Sequence, residues 1–483
     1  MTHDTTLSDS SFLDAPHSGP PEVLALVIVW SSRTGEIGHS VSIPPAPVGR
    51  PYIFGRGESS SDDRQPRLLP QQERPGTEAR AVPLEHPKIS RAQVMLELKS
   101  NGTLTVTNIG KARLLHNEHV TQVASLIPGD TLQLGSQLLF MCVLRPAWRR
   151  SLSAGFVPPH FGQPDAYGIA GESPAIWALR QQLEFAASKP EHVLVSGESG
   201  TGKELIARAL HACSSRGSFP LIARNASTFP ETLIDAELFG HAKNYPNPGT
   251  PERLGLFGQA EASSLFLDEL AELPQAMQTH LLRVLDQGEY QRLGETASRR
   301  ANVRLIGATN RPEALRSDLA ARFKIRIHSP GLEERREDIP FLVRLALRSI
   351  AAQPNSEALR FFPNRDPEQE PRVSQALMRS LVRRSYVTHF RELESVLWKC
   401  INESVGDTLE RSHDETRSSG VAVTGDATPD VASGIDPAKL SSDELRNALD
   451  ENHWVVEKTW QPLGLSSRHV LTRLMARHGL RRP

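Results

Sequence analysis

The sequence has few cysteines and no long hydrophobic run, and both shortages limit what the protein can be. Its three cysteines lie far apart and lack the spacing of a zinc site, so neither a disulfide framework nor structural zinc is expected. No apolar stretch is long enough to span a bilayer, and the polar start has no secretion signal. The sequence therefore predicts a cytoplasmic protein with no membrane partner.

The sequence also lacks an excess of charge of either sign. It carries 55 Lys and Arg against 56 Asp and Glu, which gives a formal net charge of -1 over 483 residues. Any contact with nucleic acid must therefore come from a local basic patch, because the chain has no overall positive field. The length predicts roughly three domains, since a domain usually has about 100 to 200 residues.

Three stretches of linker composition divide the chain into ordered blocks. Short alternating runs such as GTLTVTNI indicate a sandwich in the first block, and strand-like runs that alternate with helical patterns indicate a parallel α/β sheet in the second. The predicted organisation is a disordered tail at 1–20, an all-β sandwich at 21–150, a linker at 151–165, an α/β subdomain at 166–338, a helical subdomain at 339–405, a linker at 406–438 and an all-α helix-turn-helix at 439–483.

A glycine-rich segment follows the apolar strand HVLVS and precedes an amphipathic helix. Glycines allow backbone N–H groups to converge on phosphate oxygens, and the start of the helix adds positive potential. Lys203 is placed to reach the outer phosphates of a nucleotide. A chance Gly-rich turn is the alternative reading. The predicted nucleotide-binding residues of this P-loop are Gly197, Glu198, Ser199, Gly200, Thr201, Gly202, Lys203 and Glu204.

A second apolar strand, LFL, ends in Asp268 and Glu269. In an open parallel sheet such a strand end lies at the edge where a metal-bound nucleotide binds. Asp268 is predicted to hold Mg²⁺ and Glu269 to polarise the attacking water, with ATP as substrate. In isolation this pair would be a solvated acidic strand end.

The motifs GESGTGKE, ELFGH, LFLDE, LLRVLDQGEYQRLG, ATN and FREL occur in this order and resemble the AAA+ domain of sigma-54-dependent activators, the bacterial enhancer-binding proteins. The resemblance covers about residues 167–403 and implies a P-loop NTPase with a helical lid. It also implies a homo-oligomer, a hexamer, because the family's arginine fingers reach the nucleotide of a neighbouring subunit.

The resemblance assigns roles to five further residues. Asn225 matches the switch asparagine that restrains the catalytic glutamate, and Asn310 matches a sensor at the next strand's end. Arg316 and Arg322 match the arginine fingers, which stabilise charge in the transition state. Arg391 matches the lid arginine that senses the nucleotide, although the preceding Tyr-Val-Thr-His replaces the family's Trp-Pro-Gly-Asn.

One family motif is missing. After His241 the family has a Gly-Ala-Phe-Thr-Gly-Ala loop that contacts the sigma factor, and this chain has Asn-Tyr-Pro-Asn-Pro-Gly at 244–249. Two prolines fix φ and remove donors, so the loop cannot adopt the family conformation. The sequence thus predicts intact ATP hydrolysis and leaves contact with sigma-54 open.

The first block resembles a forkhead-associated domain, a β-sandwich that recognises phosphothreonine. The matching segments are Phe54-Gly55-Arg56, Ile89-Ser90-Arg91 and Asn108-Ile109-Gly110 with Asn117, and the family's usual histidine is replaced by Gln93. Arg56, Ser90 and Arg91 are predicted to supply the charge-assisted donors that a phosphate needs. A sandwich used only for docking is the alternative.

The last block is similar to the Fis-type helix-turn-helix that ends the same activators. Its helical patterns are interrupted at Gly464 with the spacing of that module. The residues predicted to face double-stranded DNA are Ser467, Arg468, His469, Thr472 and Arg473. A small helical dimerisation bundle would show the same periodicity.

The leading hypothesis is an ATP-dependent, DNA-binding transcriptional regulator that acts on RNA polymerase with sigma-54 and receives its signal from a phosphothreonine-containing protein. The first alternative is a related regulator that does not engage sigma-54, either a repressor or a regulator of another polymerase form. The second is a non-enzymatic phosphoprotein adaptor with a vestigial nucleotide site.

Overall fold

The structure is a computed structural model that describes residues 22–44, 51–58, 65–76, 80–146, 158–411 and 442–451, with residues 459 and 475. The chain divides into two units, Met1–Ser419 and Gly420–Pro483. The first unit contains the β-sandwich and the α/β region with its helical subdomain, called the lid below.

Strands β1 to β12 form the N-terminal region, as two antiparallel sheets of eight and four strands. The sheet orders are β5-β4-β2-β1-β12-β11-β8-β9 and β10-β7-β6-β3. The strands are β1 Glu22–Ser31, β2 Ser40–Ser42, β3 Tyr52–Phe54, β4 Gln71–Gln72, β5 Arg80–Ala81, β6 Val94–Leu98, β7 Leu104–Asn108, β8 Leu114–His116, β9 His119–Thr121, β10 Val123–Leu126, β11 Thr131–Leu134 and β12 Leu138–Pro146.

The core of the sandwich lies between the two sheets. Inward-facing residues such as Leu26, Phe54, Leu96 and Phe140 are almost completely buried, and the rings of Phe54 and Phe140 meet edge to face. Alternation of buried and partly exposed residues along β6 and β7 is the pattern of strands with one face on a core. The expected all-β region is therefore present.

The central region is built on a parallel sheet with the order β14-β17-β20-β13-β21. The sheet places β13, which precedes the P-loop, between β20 and β21. Its strands are β13 Val193–Ser196, β14 Ile222–Asn225, β17 Ser264–Asp268, β20 Arg304–Thr309 and β21 Ile325–His328, and four short strands form two separate pairs: β15 Gly240–His241 with β16 Arg253–Leu254, and β18 Glu289–Tyr290 with β19 Arg299–Arg300.

Helices connect and cover this sheet. The first begins after Ser173, whose hydroxyl accepts a hydrogen bond from the N–H of Ile176, with Pro174 at its first position. The helices of the α/β region are α1 Pro174–Ala187, α2 Lys203–Ala212, α3 Ile234–Phe239, α4 Leu256–Gln259, α5 Gln275–Gln287 and α6 Ser317–Arg322.

The lid follows β21 and contains α7 Ile339–Ala351, α8 Gln375–Arg383 and α9 His389–Glu403. These three helices lie within the helical subdomain predicted at 339–405. The segment between α7 and α8 contains 3-10 helices, turns and an isolated β-bridge of Val373 with Leu409. The 3-10 helices of the first unit are Thr34–Glu36, Ala226–Thr228, Glu231–Leu233, Leu270–Glu272, Pro312–Ala314, Leu332–Asp338, Glu357–Phe361 and Pro363–Arg365.

The lid and the sandwich share one hydrophobic core. Val29, Leu139 and Met141, from the outer face of the larger sheet, are buried in the same cluster as Leu347 and Leu381 of the lid. Because a buried apolar contact is lost when its two surfaces separate, this shared core favours movement of the lid and the sandwich as one body.

In the second unit the structure describes one helix, Ser442–Glu451, in which Leu445 and Leu449 are buried. The residues predicted to contact DNA, Ser467, Arg468, His469, Thr472 and Arg473, lie outside the described residues. Within the described ranges, no helix combines the length and the apolar character that crossing a membrane requires.

Candidate functional site

The predicted P-loop connects β13 to α2 at the carboxyl edge of the parallel sheet. Gly200 and Gly202 have φ angles of +83° and +98°, which L side chains rarely adopt. A Cβ at Gly200 would lie 2.2 Å from the carbonyl oxygen of Thr388 in the lid. Glycine at position 200 is therefore required by the backbone and by the lid that covers it.

Lys203 is the first residue of α2, and 7% of its surface is exposed. Its Nζ donates to the carbonyl oxygens of Gly197 (2.9 Å) and Glu198 (3.0 Å). Burial lowers the pKa of Lys203, while the nearby carboxylates of Glu269 and Asp268 act to raise it. The ammonium thus sits inside the P-loop, within the electrostatic influence of both predicted catalytic carboxylates.

Asp268 ends β17, and Glu269 follows it in the left-handed conformation, with φ +50°. Oδ1 of Asp268 accepts a hydrogen bond from the backbone N–H of Glu269 at 2.9 Å. Oε2 of Glu269 is buried, and no hydrogen-bond partner for it exists in the described part of the chain. A buried, unpaired carboxylate oxygen is costly, so this orphan atom fits a site that a water or ligand completes.

The neighbouring strands bring the two predicted asparagines to the same edge. Asn225 ends β14 opposite Asp268, and Asn310 follows Thr309, the register partner of Ser196 before the P-loop. In this conformation Oδ1 of Asn225 accepts from the backbone N–H of Ser227 at 2.9 Å. The side chain of Asn225 therefore caps a local turn here.

The lid contacts the P-loop directly at the start of α9. Nη1 of Arg391 donates to the hydroxyl of Ser199 at 3.0 Å, and the backbone N–H of Phe390 donates to the carbonyl of Gly200 at 3.3 Å. The predicted lid arginine is thus beside the predicted phosphate loop.

An apolar cleft adjoins the P-loop on the side of the lid. Its walls come from the segment before α1 and α1 itself, from the P-loop and α2, from the residues after β21 and from the lid. They include Ile169, Ala170, Ile176, Leu205, Pro330 and Phe390. A mostly apolar pocket beside a phosphate-binding loop suits the flat base of a nucleotide.

The two predicted arginine fingers lie just before α6 and at its end, where Arg316 is half-buried and Arg322 is exposed. Arg316 pairs with Asp318 at 2.6 Å, and Arg322 pairs with Asp286 at 2.6 Å. Hydrogen bonding from Arg316 lowers the pKa of Asp318 to about 2. Both guanidinium groups are thus paired within their own chain.

The two loops with predicted phosphothreonine contacts lie side by side in the sandwich. The backbone N–H of Arg56 donates to the carbonyl of Ser90 at 3.0 Å, and its Nε donates to the carbonyl of Ile89 at 3.2 Å. Arg91 is exposed beside them. Arg56, Ser90 and Arg91 are therefore neighbours on the surface.

Gln93 organises these loops, a role that sequence reasoning missed. Its side chain is completely buried, and its Oε1 accepts from the backbone N–H groups of Ser90 (3.1 Å) and Ala112 (3.2 Å). Its Nε2 donates to Oδ1 of Asn108 at 2.8 Å. The sequence signal that could have indicated this role is the position of Gln93 in the forkhead-associated motif, where the family usually has a histidine.

The loop at 244–249 is folded onto itself. Oδ1 of Asn244 accepts from the N–H of Gly249 at 2.9 Å, and the N–H of Asn244 donates to the carbonyl of Thr250 at 2.8 Å. A Cβ at Gly294 would lie 2.7 Å from the Tyr245 ring, so that ring packs on the loop between β18 and β19. The loop is thus a closed turn held at both ends.

Comparisons with known proteins show which family the region of this site resembles. The family model for the sigma-54 interaction domain matches residues 169–326. The transcriptional regulatory protein ZraR of Klebsiella oxytoca is 32% identical over 320 residues, covering 64% of this chain and 68% of that protein. The Nif-specific regulatory protein of Azotobacter vinelandii is 33% identical over 322 residues, covering 63% of this chain and 58% of that protein.

Among solved structures, a crystal structure of NtrX from Brucella abortus in complex with ATP is 25% identical, with a TM-score of 0.43 over 64% of this chain and 69% of that one. The residues that the sigma-54 interaction domain model matches include the P-loop, the acidic strand end and α6. From the family model together with the similarity to ZraR, we conclude that this chain belongs to the family of transcriptional regulators with a sigma-54 interaction domain of the AAA+ class.

Proposed function

We propose that this protein is an ATP-hydrolysing transcriptional regulator that binds DNA and assembles into a ring. The observation that carries the proposal is the meeting of Lys203, Asp268 and Glu269 at one edge of the parallel sheet, with Arg391 of the lid beside the same loop. These groups are the ones that phosphoryl transfer requires: a cation for the phosphates, a carboxylate for the metal and a carboxylate for the attacking water.

The roles of the residues follow from their chemistry. Lys203 would exchange its two carbonyl partners for phosphate oxygens, and Asp268 would hold Mg²⁺, which neutralises charge on the phosphates when bound. The unpaired Oε2 of Glu269 would accept a hydrogen bond from water and so orient it toward the γ-phosphorus. Arg316 or Arg322 of a neighbouring subunit would stabilise the negative charge of the transition state.

The test is ATP hydrolysis by the full chain as a function of protein concentration. We expect activity that rises cooperatively with concentration, because the arginine fingers act between subunits. Glu269→Gln should bind ATP and fail to hydrolyse it, and Lys203→Ala should fail to bind it. Absence of hydrolysis at every concentration would favour the non-enzymatic adaptor.

A second candidate function is regulation without contact to sigma-54. The observation in its favour is the loop at 244–249, which is closed by the Asn244 hydrogen bonds and lacks the family's Phe and Thr. Such a protein would hydrolyse ATP and act as a repressor or on another polymerase form. Open-complex formation by sigma-54 RNA polymerase separates the two functions, since only the first candidate produces it.

We further propose that the sandwich receives a phosphothreonine signal at Arg56, Ser90 and Arg91. The supporting observation is their convergence on the framework of Gln93. Arg56 uses its Nε for the carbonyl of Ile89, and the Ser90 hydroxyl accepts from the N–H of Lys111 at 3.0 Å. The other N–H groups of the Arg56 guanidinium and the Ser90 O–H are therefore the donors proposed for a phosphate. The test is fluorescence anisotropy with a degenerate phosphothreonine peptide library and its unphosphorylated counterpart. Binding of the phosphorylated library alone, lost in Arg56→Ala and kept in Lys99→Ala, is the expected result.

Binding of double-stranded DNA is proposed for the C-terminal block, in which Arg468 and Arg473 would contact the groove and the phosphates. The similarity to the transcriptional regulatory protein ZraR and to the Nif-specific regulatory protein supports this assignment. Selection of genomic DNA fragments by the full chain tests it. Arg473→Ala should weaken selected and random DNA alike, if that residue contacts phosphate.

A further inference from the structure

His389 lies where the lid, the P-loop and the segment after β21 meet. Its side chain is 5% exposed, and its Nε2 is 3.0 Å from Oε2 of Glu198 in the P-loop. Its Nδ1 is 3.2 Å from the backbone nitrogen of Leu332, which begins the 3-10 helix before the lid. One imidazole thus joins three segments that surround the nucleotide cleft.

The two hydrogen bonds define the protonation of this ring. The backbone nitrogen of Leu332 can only donate, so Nδ1 of His389 must accept. Nε2 therefore carries the proton and donates a hydrogen bond to the carboxylate of Glu198. A neutral imidazole is the group that can accept on one side and donate on the other.

The surrounding backbone is shaped to this ring. A Cβ at Gly331 would lie 2.6 Å from Cε1 of His389, so glycine is needed there for the ring to approach. His389 itself has a φ of +47°, in the left-handed region, which costs energy for a residue other than glycine. A strained residue with a fitted cradle indicates a role beyond filling the core.

The neighbours of His389 form walls of the apolar cleft. Phe390 follows it in the chain, Pro330 precedes its glycine cradle, and both line the cleft together with Gly200 of the P-loop. The link through Glu198 and Leu332 fixes the distance between these walls. Without it, the described part of the lid keeps the contacts of Arg391 and Phe390 with the P-loop and the close approach of Thr388 to Gly200.

We propose that His389 is a positioning residue for nucleotide binding, which holds the lid, the P-loop and the segment after β21 in the geometry that accepts the base and the phosphates. This inference rests on the proposed ATP-binding function. A purely structural histidine would need only the buried Leu332 bond. The second hydrogen bond of His389 goes to Glu198, whose side chain is 71% exposed and therefore does not contribute to packing of the core.

The experiment is titration of the full chain with a fluorescent N-methylanthraniloyl ATP, together with KM and kcat for ATP. His389→Asn keeps an acceptor near the Nδ1 position and loses the reach to Glu198. We expect the Kd and KM to rise by about threefold to tenfold, the value of one lost hydrogen bond, while kcat changes by less than about twofold.

Glu198→Ala provides the second arm, because its exposed side chain can be removed without disturbing the core. If the two residues act through one link, the double variant should bind the ATP analogue no more weakly than the weaker single variant. Lys399→Ala, at an exposed position of α9, is the matched control and should bind like the wild type.

The outcomes are distinct. Failure of the wild type to bind the analogue overturns both the proposed function and this inference. Normal binding by the wild type and by both single variants overturns the inference alone, as do additive effects in the double variant or tighter binding by His389→Asn. Thermal unfolding without nucleotide shows whether each variant is folded before it is titrated.

Discussion

Arg145, in the last strand of the sandwich, pairs with Glu337 immediately before the lid, with 3.1 Å between Nη2 and Oε1. Its second partner is Glu73, at 3.1 Å, and its side chain is only 3% exposed. Burial alone would lower the pKa of Arg145, but the two carboxylates outweigh it and raise the pKa. The guanidinium group is thus a buried, fully charged bridge between the sandwich and the α/β region.

Removal of this bridge should destabilise the first unit strongly. Arg145→Ala leaves two carboxylates without their cation, and we expect the free energy of unfolding to fall by about 3 to 5 kcal/mol, the cost of breaking a buried pair. Urea denaturation followed by circular dichroism measures it. Lys99→Ala removes a more exposed pair with Glu97 and should change stability by less than about 1 kcal/mol. Equal effects of the two variants would contradict this account.

The shared core makes a separate prediction about cooperativity. Leu139 belongs to the sandwich and is completely buried against lid residues. Leu139→Ala should lower stability by about 2 to 5 kcal/mol through lost burial and a residual cavity. Hydrogen exchange should show protection falling in both β12 and α8. Loss confined to the sandwich would mean that the lid is stable by itself.

Trp30 shows why this junction could not be predicted from the sequence. Its Nε1 donates to the carbonyl of Val373, 343 positions away, at 2.7 Å. The continuous apolar run of β1 predicts a strand buried on both faces, but no local pattern reveals which partner covers its outer face. Arg74 is a similar case, because this residue, which follows β4, forms an ion pair with the buried Glu172 and stacks over Phe161 and Trp177.

The parallel sheet, in contrast, was predictable. The runs that end in Ser196, Asn225, Asp268 and Thr309 are apolar, short and bounded by turn residues, and each forms a strand of the sheet. Because parallel strands end at one edge, the motifs at their ends also had to meet there. His389 was not identified as a site residue, since its importance depends on the backbone N–H of Leu332 and on the cradle of Gly331.

The arginine fingers predict complementation between inactive variants. Arg322→Ala should abolish hydrolysis. Each variant subunit keeps its own Lys203, Asp268 and Glu269, but it supplies no arginine finger to the active site of its neighbour. Glu269→Gln should be inactive for the opposite reason. Mixing the two should restore part of the activity at subunit boundaries that combine one good Glu269 with one good Arg322. Phosphate release during a titration of one variant into the other measures the restored activity. A mixture as inactive as the two separate variants would show that the fingers act within one chain.

The atypical loop predicts a gain of function by replacement. Exchange of residues 244–249 for Gly-Ala-Phe-Thr-Gly-Ala removes both prolines and the Asn244 closure. Under the second candidate function, ATP hydrolysis should persist, because the replacement leaves the P-loop and the acidic strand end unchanged. Open complexes with sigma-54 polymerase should then appear only in the exchanged protein. Open complexes formed equally by the wild type would contradict the second candidate function.

His192 predicts how stability depends on pH. Its Nδ1 accepts a hydrogen bond from the N–H of Leu305 at 3.0 Å. Burial, assisted by the positive charges of Arg304 and Arg216, lowers its pKa from 6.5 to about 4. The folded protein therefore keeps this ring neutral, while the unfolded chain takes up a proton below pH 6.5.

The neutral His192 ring thus contributes fully to the free energy of unfolding above pH 6.5, the pKa of the ring in the unfolded chain. This contribution is lost as the pH falls toward 4, the pKa in the folded protein. In that interval the unfolding free energy should fall by up to about 1.4 kcal/mol per pH unit through this group. His192→Asn keeps an acceptor for Leu305 without titrating, so its stability should fall less steeply. The same substitution at the exposed His119 serves as control. Identical slopes for wild type and His192→Asn in denaturation curves from pH 7 to 4.5 would show that His192 does not control this acid sensitivity.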